Sequence, residues 1–117
     1  MSATSPTGMK YDGAKPRFSL LPIGPLNDVV RVLEYGAAKY AVDNWQKVSS
    51  PRTRYFDAAM RHLLAWRGGE RLDPESGLPH LAHAACSLLF LGWFDARERA
   101  PAPPSPAGYD ANGSPVT

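Results

Sequence analysis

The stretch LPHLAHAACSLLFLGWF, residues 78–94, constrains the fold more than any other part of the chain. Nearly every position is apolar, so a helix formed from it is apolar around its whole circumference and belongs at the centre of a domain. Its longest nearly apolar run, Leu81 to Phe94, is too short to cross a hydrocarbon layer of ~30 Å and contains His83. The sequence therefore predicts a central helix in a soluble protein, from about Pro79 to Arg99.

A first helix is predicted from about Pro25 to Tyr40, after the break Pro22-Ile23-Gly24-Pro25. Pro25 is placed for a first-turn position, where a missing backbone N–H costs little. Its apolar residues recur at helical spacing, in a stripe centred near Leu33 and Ala37: Leu26, Val29, Val30, Leu33, Ala37 and Tyr40. Glu34 lies on the shoulder of this stripe, where a carboxylate needs a partner.

A second helix is predicted from about Pro51 to Arg67. Ser49-Ser50 offers a cap, Pro51 suits the first turn, and Gly68-Gly69 ends the helix. Phe56, Ala59, Met60, Leu63 and Trp66 share one face. No strand pattern competes, and Arg17-Phe18-Ser19-Leu20 is at most a short extended piece. These patterns predict an all-α bundle of three to four helices.

Composition limits the size and setting of the domain. Residues 1–8 and 100–117 are poor in large apolar side chains, and five of the twelve prolines lie in the second segment, so both termini are predicted to be disordered. The folded body is then about residues 9–99. Three helices of this length bury little surface alone, so the apolar third helix predicts a homo-oligomer, a dimer or tetramer.

Charge and cysteine content exclude several classes of protein. The formal net charge is only +2, which suits an anionic small substrate but is too weak for nucleic-acid binding. The single cysteine, Cys86, excludes an intrachain disulfide framework and a cysteine metal cluster. A reducing cytoplasm is the expected compartment, and neither a membrane nor a nucleic acid is an expected partner.

Polar residues concentrate where the third helix begins. His80, His83 and Ser87 fall within one 60° arc of that helix. The preceding loop brings three acids to its N-terminal end, and Glu34 can approach from the first helix: Glu70, Asp73 and Glu75. Carboxylates with imidazoles suit a divalent metal such as Mg²⁺, Mn²⁺, Co²⁺ or Zn²⁺. The alternative is that the histidines are hydrogen-bonded core residues and that Glu75 only favours the helix dipole.

Two loops and the second helix offer substrate contacts. Lys15 and Arg17 lie in a glycine-broken basic loop that can fold over phosphates, and Lys39, Asn44 and Trp45 combine a cation, an amide and an aromatic ring. In the alternative interpretation, Trp45 anchors its loop to the core, and Asp57 and Arg61 form a surface ion pair.

Three longer motifs resemble a known family. KYDGAKPRFSLLP, VLEYGAAKYAVDNW and AAMRHLLAWRGGERLDPESGLPHLAHAACSLLFL, in this order, resemble the phage-associated dATP/dGTP diphosphohydrolase domain, a relative of the MazG-like all-α nucleoside triphosphate pyrophosphohydrolases. The resemblance covers about Lys10 to Leu91. It implies a metal-dependent enzyme, using Mg²⁺, Mn²⁺ or Co²⁺, that converts dGTP or dATP to the monophosphate and pyrophosphate. It also implies a role in some phages, the supply of dGMP for 2-aminoadenine nucleotides.

The resemblance matches the expected metal ligands by position, and the chemistry of the residues themselves suggests the substrate contacts. Glu34 and His83 are the expected catalytic residues, and the expected metal ligands are Glu34, Glu70, Asp73, Glu75, His80 and His83. The expected substrate contacts are Lys15, Arg17, Lys39, Asn44, Trp45, Arg61 and His62. MazG-like enzymes commonly carry an E-E-x-x-E helix and a later E-x-x-D helix, whereas this chain has Glu34 with Tyr35 and Ala38, and then H-x-x-H. The usual four-carboxylate site is therefore not all present.

Two other functions remain open from the residues. An HD-type phosphohydrolase would release the whole triphosphate, but the sequence contains no His-Asp dipeptide. A small regulatory module would bind a nucleotide through its arginine and tryptophan residues without hydrolysis.

Overall fold

The computed structural model describes residues 8–98 as an all-α domain, which confirms the predicted fold class. Within this range there is no β-strand, only an isolated bridge between Leu72 and Pro79. The elements are three α-helices and two short 3-10 helices: η1 (Phe18–Leu20), α1 (Ile23–Lys39), η2 (Asn44–Lys47), α2 (Pro51–Arg67) and α3 (His80–Glu98). The predictions of disorder for residues 1–8 and 100–117 lie outside the described residues, except at Gly8.

The helix boundaries follow the predicted signals closely. The predicted range of α2 is confirmed at both ends, and Gly69, with φ of 105°, ends it in a backbone region that favours glycine. Ser50 stands at the N-cap position but makes no side-chain capping bond, contrary to the prediction. α1 begins two residues earlier than predicted, since Gly24 and Pro25 fit its first turn, where backbone N–H groups have no intrahelical acceptor. In the Arg17–Leu20 segment, which was predicted to be at most extended, Phe18–Leu20 forms η1 and Arg17 is its N-cap residue.

α2 and α3 run antiparallel. At one end, Arg52 Nη1 lies 2.8 Å from Glu98 Oε2, and at the other the side chains of His62 and His80 meet. α1 packs across α3, where Val32, Ala82 and Cys86 form a buried cluster. The partly buried residues around it are Val29, Leu33, Leu78 and Phe90. The buried face of α1 is thus centred on Val29, Val32 and Leu33, and not on Leu33 and Ala37 as predicted.

The third helix is only partly covered. Its inner face buries Ala82, Ala84 and Cys86, but Leu81, Leu88 and Leu89 are 42%, 56% and 58% exposed, so α1 and α2 do not cover the whole apolar surface of α3. Phe56, Met60 and Leu64 on α2 are also exposed. The homo-oligomer therefore stays a prediction, which these side chains motivate. In the part of the chain that is described, no helix is both long and apolar enough to span a membrane.

Cys86 lies between α1 and α3, so the reactivity of its thiol reports on the packing of these two helices. It is 2% exposed, its Sγ donates to the Val29 carbonyl, and burial raises the pKa of its thiol to about 11. Because the thiolate is the reactive form, a rise of this size leaves roughly 100-fold less thiolate near pH 8. We expect Ellman's reagent to label Cys86 only slowly in the folded protein and rapidly in guanidinium.

A matched control for this measurement is the double variant Cys86→Ser, Ser49→Cys, which moves the thiol to an exposed position. This thiol should react quickly without denaturant. Equal labelling rates for the folded wild type and the control would contradict the buried position of Cys86.

Candidate functional site

A cleft of about 960 Å³ is lined by residues of all three α-helices, of η2 and of the loop before α3. This volume lies at the upper end of the range for small-molecule sites. Nine of the predicted site residues line it: Glu34, Lys39, Asn44, Trp45, Arg61, His62, Asp73, Glu75 and His83. The helices thus bring together most of a site whose members are spread along the sequence.

The three histidines of the chain lie together: His62 and His83 line the cleft, and the buried His80 lies beside it, against His62. His62 on α2 approaches α3, with its Nδ1 atom 2.8 Å from Nδ1 of the buried His80. The His62 ring also stacks on His83, with 4.5 Å between centroids and 10° between planes. Burial, followed by the neighbouring His83 and His80, lowers the pKa of His62, and burial lowers the pKa of His83. Both rings are therefore neutral near pH 7, the form in which imidazole binds metals.

His62, Asp73 and His80 form the group best arranged for a metal ion. One ligand atom from each lies within 4.8 Å of the other two. Glu70 does not point at this group. Its Oε1 lies 2.6 Å from Nε2 of His80, on the side of the ring opposite Nδ1. The predicted ligands Asp73 and His80 thus lie together with His62, which was expected to contact substrate. Glu70 instead contacts the ring nitrogen of His80 that is farther from His62.

Ser76 organises the loop that leads into α3. Its backbone N–H donates to Asp73 Oδ2 at 3.0 Å, and its Oγ accepts from the Leu78 N–H and lies 2.7 Å from Nε2 of His83. Burial acts to raise the pKa of Asp73, but hydrogen bonds from the Ser76 backbone and side chain outweigh it and lower the value. Asp73 is therefore an ionised carboxylate held in place by its own loop.

Glu75 joins the same loop to α1. Its Oε1 accepts hydrogen bonds from Tyr35 Oη at 3.1 Å and from Lys39 Nζ. The hydrogen bonds from Lys39 and Tyr35 lower the pKa of Glu75, and the bond to Glu75 raises the pKa of Lys39. Glu75 therefore connects two walls of the cleft and leaves its other oxygen available to a ligand.

An aromatic group lies farther along the same cleft. Trp45 stacks on Phe90 at 4.5 Å and meets Trp93 edge-on at 4.9 Å, while the Tyr55 hydroxyl donates to the Trp45 carbonyl at 2.9 Å. The alternative interpretation, in which Trp45 anchors its loop, thus has direct support. Tyr55 precedes His62 by seven residues on α2 and Phe90 follows His83 by seven on α3, so the aromatic and histidine groups are separated by roughly 10 Å along both helices.

The remaining predicted residues are placed differently. Lys15 and Arg17 are exposed in the N-terminal loop and do not line the cleft. Glu34 is exposed and lines the cleft, but it is not part of the His62, Asp73 and His80 group. Among residues 8–98, no Asp57–Arg61 ion pair forms; both side chains border the cleft instead.

Three residues in or beside the cleft were missed from the sequence: Tyr35, Tyr55 and Ser76. Tyr35 precedes Lys39 by one helical turn, and Ser76 follows Asp73 by three residues, which is the spacing of a side-chain-to-backbone turn. These spacings were available signals. Tyr55 offered none, because its partner is a backbone carbonyl in η2.

Comparisons with known proteins identify the family of the chain. The family described as "dATP/dGTP diphosphohydrolase, N-terminal" matches residues 5–101. The chain belongs to this family. A protein of Salmonella phage PMBT28 named dATP/dGTP diphosphohydrolase is 40% identical over 87 residues. These residues are 74% of this chain but only 29% of the phage protein, so the chain spans less than a third of that relative. No solved structure matches the chain.

Proposed function

We propose that this domain hydrolyses dGTP or dATP to the deoxynucleoside monophosphate and pyrophosphate with the help of a divalent metal ion. The observation that carries the proposal is the group of three histidines with Asp73 beside a cleft that is also lined by cations and aromatic rings. The family name and the name of the phage relative support the substrate class. The supply of dGMP for 2-aminoadenine nucleotides and a cytoplasmic location stay expectations.

The side chains at the cleft suit the parts of a nucleotide. Trp45, Tyr55 and Phe90 offer the apolar surroundings that a purine base requires, and Asn44 offers an amide for its edge. Arg61 and Lys39 border the same cleft and supply positive charge for phosphate oxygens. The separation of roughly 10 Å between the aromatic and histidine groups leaves room for the sugar between base and phosphates.

The donor set also suits the metal that the family relationship implies. Asp73 is ionised and His62 is neutral, which are the forms in which these side chains bind a divalent ion, and His80 is held in place by Glu70. When bound, such an ion neutralises phosphate charge and acidifies water. Glu75 and Glu34 line the same cleft and add negative charge to it.

The reaction needs one water and produces two phosphate products. Water attacks the α-phosphorus, the bond from this phosphorus to the bridging oxygen breaks, and pyrophosphate leaves. Glu34, an exposed carboxylate on the cleft wall, is the side chain that we assign to accept the proton of the water. His83, whose Nε2 is bonded to Ser76, is assigned to orient the water.

The product pattern tests the reaction class. dGTP or dATP incubated with the protein and Mg²⁺, Mn²⁺ or Co²⁺ should give monophosphate and pyrophosphate in equal amounts, and nothing when EDTA is present. In ¹⁸O-labelled water the label should enter the monophosphate alone. Deoxynucleoside with triphosphate would indicate HD-type chemistry, and no turnover with retained nucleotide binding would indicate a regulatory module. Label in pyrophosphate would place the attack at the β-phosphorus and overturn the mechanism.

A further inference from the structure

We propose that His62, Asp73 and His80 form a site for one first-row transition-metal ion, such as Zn²⁺ or Co²⁺, in preference to Mg²⁺. The inference deepens the proposed function, because it names the class of metal at the histidine end of the cleft. Two of the three residues offer an imidazole nitrogen as the donor atom. Mg²⁺ prefers oxygen ligands and retains several waters, whereas imidazole suits Zn²⁺, Co²⁺ and Ni²⁺.

The hydrogen bonds of His80 point its Nδ1 atom at this site. Glu70 Oε1 lies 2.6 Å from Nε2, so Nε2 carries the proton that is donated to the carboxylate. In the tautomer with its proton on Nε2, His80 has a lone pair on Nδ1, and this atom lies 2.8 Å from Nδ1 of His62. A carboxylate holding the far nitrogen of a histidine is the arrangement that commonly orients histidine ligands of metals in proteins.

The spacing of the nitrogens suits a shared ion. Bonds of 2.0–2.1 Å from one metal to two imidazole nitrogens place these atoms about 3.0–3.4 Å apart at ordinary coordination angles. The 2.8 Å observed between the two Nδ1 atoms needs only a small adjustment. An ion would take the place of the proton between the two nitrogens, and the neutral His62 ring would then carry this proton on Nε2 instead. Burial supports the same conclusion, since His80 is 3% exposed and a rotation away from His62 would break its bond to Glu70.

The other titratable groups nearby have different partners. His83 Nε2 is bonded to Ser76, and Asp73 Oδ2 lies 4.0 Å from this nitrogen. Glu75 is bonded to Tyr35 and Lys39. We therefore assign three protein ligands to the ion. Because His62 and Asp73 line the cleft, the ion would also be accessible to water or to a phosphate oxygen.

Metal binding without nucleotide tests this assignment. Protein stripped with EDTA is titrated with Co²⁺, and the visible absorption and equilibrium dialysis are followed. We expect one equivalent per chain, bound in the presence of millimolar Mg²⁺. His62→Phe keeps a ring against His83 but removes a ligand, and should abolish the visible band while the helical circular dichroism is retained. His83→Gln, which lies outside the three-ligand group, should keep one equivalent.

Glu70→Gln gives a graded test of the supporting bond. The amide keeps the size of Glu70 but not its charge, and the affinity for Co²⁺ should fall about 10–100-fold with the stoichiometry unchanged. An unchanged affinity would show that the charge of Glu70 does not help to position His80 for metal binding.

The inference and the proposed function can fail separately. No Co²⁺ binding by the wild type, unchanged binding by His62→Phe, or displacement by an equal concentration of Mg²⁺ would overturn the metal site even if dGTP is hydrolysed. If the protein binds one Co²⁺ but hydrolyses neither dGTP nor dATP, the metal site is supported and the proposed reaction is wrong.

Discussion

Replacing Asp73 by asparagine is expected to lower kcat for dGTP or dATP at least about 100-fold, because the substitution removes a negative charge. The amide would keep the size of the side chain and an oxygen that accepts from the Ser76 N–H. It would lose the negative charge that Asp73, next to His62 and His80, is proposed to offer to a cation. Replacing a residue that only hydrogen-bonds to a metal ligand commonly costs about 10–100-fold in metal affinity or activity, so replacing Asp73, which we propose as a ligand, should cost more. Steady-state kinetics under saturating metal measure the loss.

Asp95→Asn is the matched control for this variant. Asp95 is an exposed acid on α3, and its 3.8 Å approach to Arg52 is a surface contact worth roughly 0–1 kcal/mol. It should keep wild-type turnover and a similar melting temperature. If Asp73→Asn folds, by circular dichroism, and turns over as fast as Asp95→Asn, Asp73 has no part in the chemistry.

The helices could be predicted because their signals are local. The apolar period, Pro51 and Gly68-Gly69 lie within or beside the segment that they define, so α2 was predicted at both ends. α1 shows the limit of such signals. Gly24 and Pro25 indicate a break, yet the first turn of a helix tolerates both because its N–H groups need no acceptor within the helix.

Only those parts of the site that lie on a single helix could be predicted from the sequence. A spacing of three residues places His80 and His83 on neighbouring positions of α3, whatever the rest of the chain does. The contact of His62 with His80 depends instead on how far α2 is shifted along α3, and the periodicity of each helix does not contain this information. His62 was therefore assigned to substrate when its nearest partner is another histidine.

Loop geometry accounts for the other differences. Glu70, Asp73 and Glu75 occur within six residues and look equivalent in the sequence, yet Glu70 binds the far side of His80 and Glu75 binds α1. Asp73 faces the histidines because its carboxylate accepts the Ser76 N–H and so fixes the turn. These separate roles depend on backbone directions that residue types alone do not determine.

Replacing Trp45 by alanine is expected to lower the free energy of unfolding by about 3 kcal/mol, at the lower end of the usual cost for a tryptophan because the ring is half-buried. The lost contacts are the stack on Phe90 and the edge contacts with Trp93 and Phe94. For a domain of this size the melting temperature should fall by roughly 12–24 °C. Thermal unfolding followed by circular dichroism measures the change.

Trp45→Phe separates anchoring from base binding. Phenylalanine keeps a ring that can stack on Phe90, and the Tyr55 hydroxyl still has the backbone carbonyl of residue 45 to bind. Most of the stability should return, because the stack is retained and only part of the edge contacts is lost. If Trp45→Ala instead melts like the wild type while its KM for dGTP rises, the ring contacts the base and does not anchor η2. If the alanine variant melts early and the phenylalanine variant restores both stability and KM, Trp45 acts on the site by holding its wall in place.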